Sequence, residues 1–139
     1  MKKESIPLQV KQTVSYTQNQ NQDQWQHQGL ADFFVLKTYQ KLHYQDQLGQ
    51  SVKLKWYPKN EDKVSILELS RAGVVMIFDP SRSTQTSYPT QAGLLPLTVS
   101  TKKLSFCIQE NEGKIYLAYQ LLVDGQSIGD YQFELLFKL

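Results

Sequence analysis

The chain predicts an all-β fold, an antiparallel up-and-down β-barrel of about eight to ten strands. Three observations lead there. From Leu95 to Leu139 apolar and polar residues alternate with a period of two, which gives a strand one buried and one wetted face. Turn-forming groups such as Gly49, Asp79-Pro80-Ser81-Arg82 and Asp124-Gly125 recur along the chain, at roughly the spacing of successive hairpins in a sandwich or barrel. No segment carries a convincing helical period. The 139 residues suit one domain with one core. A barrel is favoured over a sandwich because long strands joined by hairpins can close and abolish their edges.

The alternation begins at once, with Ile6, Leu8, Val10, Val14 and Tyr16 on even positions. This is a long first strand, in which Pro7 is tolerated only near the start or on an edge. Glutamine then occupies every even position from Gln18 to Gln28. A polar, turn-prone middle places a hairpin loop near Asn19 to Asp23, followed by a strand from Gln24 to Gly29 with Trp25 and His27 on one face. An aggregation-prone or partner-binding glutamine tract is the other reading, but Trp25 and His27 break the run. Ala31 to Leu36 and Tyr39 to Tyr44 read as strands joined at Lys37-Thr38, and Gly49 marks the next turn. Val52, Leu54 and Trp56 alternate with Lys53 and Lys55. Pro58 to Asp62 is a polar turn cluster, and Val64 to Leu69 is again β-rich. Arg71-Ala72-Gly73 interrupts before Val74 to Phe78, which is apolar on both faces. Asp79 to Arg82 turns the chain, Ser83 to Tyr88 is a polar strand, and Pro89 with Gly93 leads into Leu95.

Two details of register are informative. The apolar parity is odd at Leu95, Leu97 and Val99 and even at Leu104, Phe106 and Ile108. One extra residue near Lys102-Lys103, a β-bulge or corner, accounts for the change. Asp124-Gly125 resembles a two-residue hairpin turn, yet that turn would put Tyr131, Phe133 and Leu135 on the wrong face. An odd loop, Asp124-Gly125-Gln126, restores the match and sets Tyr119 beside Tyr131.

Composition narrows the function classes. Apolar content of 40% and charged content of 20% are globular values. A net charge of +2 is small for a nucleic-acid partner, which usually needs a dense basic face. The single Cys107 rules out an internal disulfide and a cysteine zinc cluster, and a half-buried strand position suits it. A catalytic thiol would need a base, for which only His27 and His43 exist. Met1-Lys2-Lys3-Glu4 is not followed by the apolar segment of a signal peptide, and no run approaches the roughly 18 apolar residues of a spanning helix. A soluble cytoplasmic protein without a membrane partner is expected.

Arg71-Ala72-Gly73-Val74-Val75-Met76, Tyr88-Pro89-Thr90, Gly93 to Thr101 and Gly113 to Tyr119 occur in that order. In these segments the chain resembles the YwiB-like family of small bacterial proteins, and the likeness extends over essentially its whole length. The resemblance implies a calycin-type, lipocalin-like barrel and no particular activity. Departures from the better-known calycins are plain. Neither Trp25 nor Trp56 follows the Gly-x of a lipocalin, the last strand reads Tyr131-Gln132-Phe133-Glu134 in place of an Arg-x-Tyr clamp, and no histidine follows His43.

The chemistry-bearing residues are few. His27 and His43 are lone histidines beside glutamines and suit solvated strand positions. Glu110/Glu112 and Glu61/Asp62 lie in turn clusters. Arg71 either enters the barrel mouth to hold a carboxylate or phosphate or ties down a turn. Lys53, Lys55, Lys59 and Lys63, with Trp56 and Tyr57 among them, have the look of an aromatic–basic patch, but Trp56 has the opposite parity to Lys53 and Lys55. The reading favoured is a non-enzymatic barrel that binds a small apolar or amphipathic ligand. Arg71, Tyr119 and Tyr131 would orient its polar end, and Trp25 and Trp56 would line the chamber. The alternative is a filled barrel acting as a protein-interaction or self-association module, monomer or homodimer. No cofactor or metal is expected. An empty interior would favour the first reading and a packed one the second.

Overall fold

The structure is a computed structural model that describes residues 2–60 and 63–139, and the side chains of these except residues 58–65. Ten strands follow one another: β1 (Lys2–Tyr16), β2 (Gln22–Val35), β3 (Gln40–Gln45), β4 (Ser51–Asn60), β5 (Lys63–Arg71), β6 (Val74–Phe78), β7 (Thr84–Thr90), β8 (Gly93–Gln109), β9 (Glu112–Val123) and β10 (Gln126–Lys138). They form one antiparallel sheet in the order β6-β5-β4-β3-β2-β1-β10-β9-β8-β7. Every strand except β6 is hydrogen-bonded to its successor in the chain, and β1 joins the last strand, β10. The sheet curls into a nearly closed up-and-down barrel whose seam lies between β6 and β7. The seam has no backbone ladder. Thr84 Oγ1 donates to the Ile77 carbonyl at 2.5 Å, and Thr86 Oγ1 donates to the Val75 carbonyl at 2.7 Å.

The period-two pattern explains which face turns inward. Ile6, Leu8 and Val10 of β1, Leu42 and Tyr44 of β3, Val52, Leu54 and Trp56 of β4, and Ile115 and Leu117 of β9 are all buried. Rings fill the middle of the barrel. Trp56 lies 6.3 Å from Phe33, 5.3 Å from Phe106 and 6.3 Å from Phe137, and its indole N–H donates to Gln40 Oε1 at 3.0 Å. A buried indole with its polar atom paired is a stable core anchor. Pro7 is accommodated because it lies one residue beyond the last β1–β10 pair, Leu8 with Phe137.

Several expected boundaries change. The first hairpin loop spans Thr17 to Asn21, earlier than expected, and one unbroken β2 replaces the two strands expected on either side of Leu30. Continuous pairing with β1 from Gln22 to Val35 carries β2 straight through Gly29. β7 runs on through Pro89 to Thr90, which a strand at the end of the sheet order permits. Of the turn expected over Pro58 to Asp62, Pro58 to Asn60 belong to β4 instead, and Glu61 and Asp62 lie outside the described residues.

The bulge expected near Lys102 is present, with the register shifting between Thr101 and Lys103. The odd loop at Asp124 is not. Asp124 (φ 51) and Gly125 (φ 79) form a two-residue turn of the left-handed kind that matches strand twist, and Val123 pairs with Gln126. The parity is corrected further on, where β10 bulges between Ser127 and Gly129 and leaves Ile128 without a partner. Tyr131 therefore does pair with Tyr119, by a different device.

Gly113, a buried residue of β9, lies opposite Phe137. A methyl group there would overlap the Phe137 ring, which the surrounding rings hold in place. Gly113→Ala is expected to destabilise the barrel by about 1–3 kcal/mol, the usual cost of overpacking, and Gly113→Ala with Phe137→Leu to recover part of this. Urea unfolding followed by tryptophan emission measures both.

Candidate functional site

Strand lengths decide where the barrel wall is incomplete. β2 has 14 residues and β3 only 6. β3 pairs with β2 only from Asp32 to Val35, so the β2 edge from Gln22 to Ala31 has β1 on one side and no strand on the other. A cleft of about 510 Å³ separates this edge from the lower end of β3, with His27, Leu30, Asp32, His43, Tyr44 and Gln45 among its walls. Beside it, a groove of about 660 Å³ runs over Pro7, Gln28, Leu30 and Leu136. Leu30 is 69% exposed and Leu136 41%.

β3 stops at Gln45 because of the turn that follows. Asp46 Oδ1 accepts the backbone N–H groups of Leu48 (2.9 Å) and Gln50 (3.0 Å), and Gly49 supplies the required positive φ of 77°. Asp46 Oδ2 accepts Arg71 Nε at 2.6 Å. This clamp ties the β3–β4 turn to the end of β5. Burial alone would push the Asp46 carboxyl up, but hydrogen bonds from Arg71, Gln50 and Leu48 outweigh it and hold the group below the usual carboxylate range. Of the two sequence readings of Arg71, the structure matches the one in which it ties down a turn. Its partner was missed, although Asp46 three residues before Gly49 is a recognisable side-chain-to-backbone turn signal.

The other four proposed ligand residues do not converge. Trp56 is wholly enclosed by the aromatic core. Trp25 lies on the open β2 edge, 37% exposed. Tyr119 and Tyr131 stack at 5.1 Å with their rings 10° apart, and Tyr119 also meets Phe78 at 4.6 Å. Burial pushes both phenols up, with each tyrosine's neighbour adding to the effect: Tyr131 for Tyr119 and Tyr16 for Tyr131. Thr101 pairs with Tyr119 across the sheet, and its buried Oγ1 has no hydrogen-bond partner among the described residues.

The two histidines approach the cleft from different strands. His27 leans over Gly29, where a Cβ would sit 3.3 Å from Nε2. His43 packs on Phe34 at 4.9 Å on the outer face. Among the described residues, no three His, Cys, Asp or Glu side chains gather as metal ligands, and Cys107 is half-buried.

A family model described as a domain of unknown function, DUF1934, matches residues 8–135. The chain belongs to this family. No curated protein matches it. The YwiB protein from Bacillus subtilis, known as a crystal structure, matches over 98% of this chain and 92% of its own at 22% identity, with a TM-score of 0.72. That likeness establishes the barrel as the fold of this DUF1934 chain and extends no further than fold.

The Asp46 clamp gives this DUF1934 barrel a specific acid sensitivity. A carboxyl held low in the folded state stabilises it above the unfolded value of about 3.9, and that stabilisation is lost as pH falls through the lower folded value. Asp46→Asn is expected to cost about 1–3 kcal/mol at neutral pH and to flatten the loss of stability below about pH 4. Chemical denaturation at pH 7 and at about pH 3 compares the two proteins.

Proposed function

We propose that this protein is a non-enzymatic interaction module that self-associates through the open edge of β2. The observation that carries the reading is the run of ten edge residues from Gln22 to Ala31, paired on one side only. An edge of this length presents unpaired N–H and C=O groups that template a further strand. Soluble proteins usually protect such edges with lysine, proline or a bulge. Gln22-Asp23-Gln24-Trp25-Gln26-His27-Gln28-Gly29-Leu30-Ala31 has no lysine or proline and a single aspartate, and pairs with β1 without a bulge.

A second copy is the occupant with the best fit. A two-fold axis pairs the edge antiparallel with itself, and the alternation of faces is kept when the axis passes through a residue position. Glutamine then meets mainly glutamine on the outer face, with no charge repulsion across the junction. Exposed Trp25 on one face and Leu30 on the other add apolar surface to bury. The dense packing around Trp56 favours this reading over an interior ligand, because the barrel is occupied there by its own side chains.

Light scattering across a wide concentration range tests the proposal. Wild type is expected to reach twice its monomer mass, and Gln26→Lys, which adds a charge to the edge without touching the core, to remain monomeric. Hydrogen exchange should show protection of Gln22 to Ala31 that rises with concentration. A wild-type chain that stays monomeric throughout, with a fast-exchanging β2 edge, overturns the proposal.

A further inference from the structure

The outer faces of β1 to β4 bring together residues that are scattered in the chain. The register sets Lys3 opposite Phe34, Phe34 opposite Lys41, and Lys41 opposite Lys55. In the adjoining row Asp32 faces His43 and His43 faces Lys53. Tyr39 and Tyr57 complete the face, their rings 6.0 Å apart. Ammonium groups and rings interleave: Lys3 and Lys41 lie 5.6 and 4.7 Å from the Phe34 centroid, and Lys55 lies 4.2 Å from Tyr39 and 5.3 Å from Tyr57. The row from Lys3 to Lys55 crosses three strand intervals, about 14 Å.

An ordinary solvated sheet face is arranged differently. Like charges directly opposite across strands are destabilising, and Lys41 with Lys55 is such a pair. Among the described residues the acids paired with this face are Asp32, opposite His43, and Glu68, opposite Lys55, fewer than its lysines. His43 reflects this, since burial, then Lys41 and Lys53, and more weakly Lys3 depress its pKa against the opposing pull of Asp32. The rings stay at the surface, with Tyr57 38% exposed and Phe34 and Tyr39 half-buried.

We infer that this face binds single-stranded nucleic acid, with Lys3, Lys41, Lys53 and Lys55 on the phosphates and Phe34, Tyr39 and Tyr57 offering surfaces for bases to stack on. Cations set between exposed rings suit a chain in which anionic groups alternate with flat π-systems. An acidic peptide would use the lysines and leave the rings idle. A membrane surface calls for protruding aliphatic side chains, and Leu30 and Leu136 lie on a separate groove. The net charge of +2 that argued against such a partner averages over the whole molecule and conceals the clustering that folding creates. The site is independent of the β2 edge and stands or falls separately.

Fluorescence anisotropy with labelled oligouridylate and oligothymidylate provides the test. Affinity should fall with salt, and Lys41→Gln with Lys55→Gln should weaken binding at least tenfold and reduce the logarithmic salt slope by about 1.4, or about 0.7 for each phosphate contact. Tyr39→Ala with Tyr57→Ala should weaken binding by about thirtyfold or more with the slope unchanged. Unaltered emission from buried Trp56 and an unaltered thermal midpoint show that each variant is folded. No binding at low salt overturns the inference, as does indifference to ring removal, equal competition by polyglutamate, or stronger binding to phosphatidylserine vesicles than to either oligonucleotide.

Discussion

Every strand of this barrel must turn its apolar parity toward one shared interior, and in β8 and β10 an unpaired residue makes that possible. A slip of one residue in a strand exchanges its buried and wetted faces. Lys102 on β8 and Ile128 on β10 are the residues skipped by the ladders on either side of β9. Because of Lys102, β8 contributes Leu97 and Val99 at one end and Phe106 at the other to the same core. Because of Ile128, β10 keeps Phe133, Leu135 and Phe137 inside after a tight two-residue turn. Without these bulges, β1–β10 pairing would close the barrel around the wrong faces.

Satisfying that constraint fills the centre of the barrel with side chains. Phe33, Trp56, Phe106 and Phe137 occupy the centre, and the cavities described are grooves, an inter-strand cleft and a small pocket of about 240 Å³ among Lys2, Phe33, Gln40, Ile108 and others. The same turn chemistry that finishes the barrel opens the cleft. Asp46 bonds two backbone N–H groups and Arg71 at once, and so fixes where β3 ends, two residues past its last pair with β2, Asp32 with His43.

Local pattern carried most of the fold, since period-two alternation and turn residues are properties of neighbouring positions. The Lys102 bulge was legible because apolar residues on both sides of it record the change of parity. The Ile128 bulge was hidden: a three-residue loop and a two-residue turn followed by a bulge place Tyr131 identically. The candidate surfaces were less legible because they arise from pairing. Lys53, Lys55 and Tyr57 share a strand face in the sequence, but Lys3, Phe34, Tyr39 and Lys41 join them only through the β1–β2–β3–β4 register. The open β2 edge likewise arises from pairing, since β3 leaves β2 after His43 and ends at a turn held by an Asp46–Arg71 contact 25 residues apart.

The β6–β7 seam and the open β2 edge are treated differently, and the contrast bears on what the open edge means. At the β6–β7 seam, Thr84 and Thr86 spend their hydroxyls on the carbonyls of Ile77 and Val75. The connecting turn is held by Asp79, which accepts the Ser81 N–H and hydroxyl and the Arg82 guanidinium. That edge is sealed by side chains because no backbone ladder reaches it. Along β2 the residues are as polar, with glutamine at 22, 24, 26 and 28, yet none of their side-chain bonds among the described residues crosses to β3; Gln22 turns back to Ser15 on β1. A chain that seals one gap with threonines has the means to seal the other. Leaving ten residues of β2 unpaired, without lysine or proline, keeps that edge available to another strand.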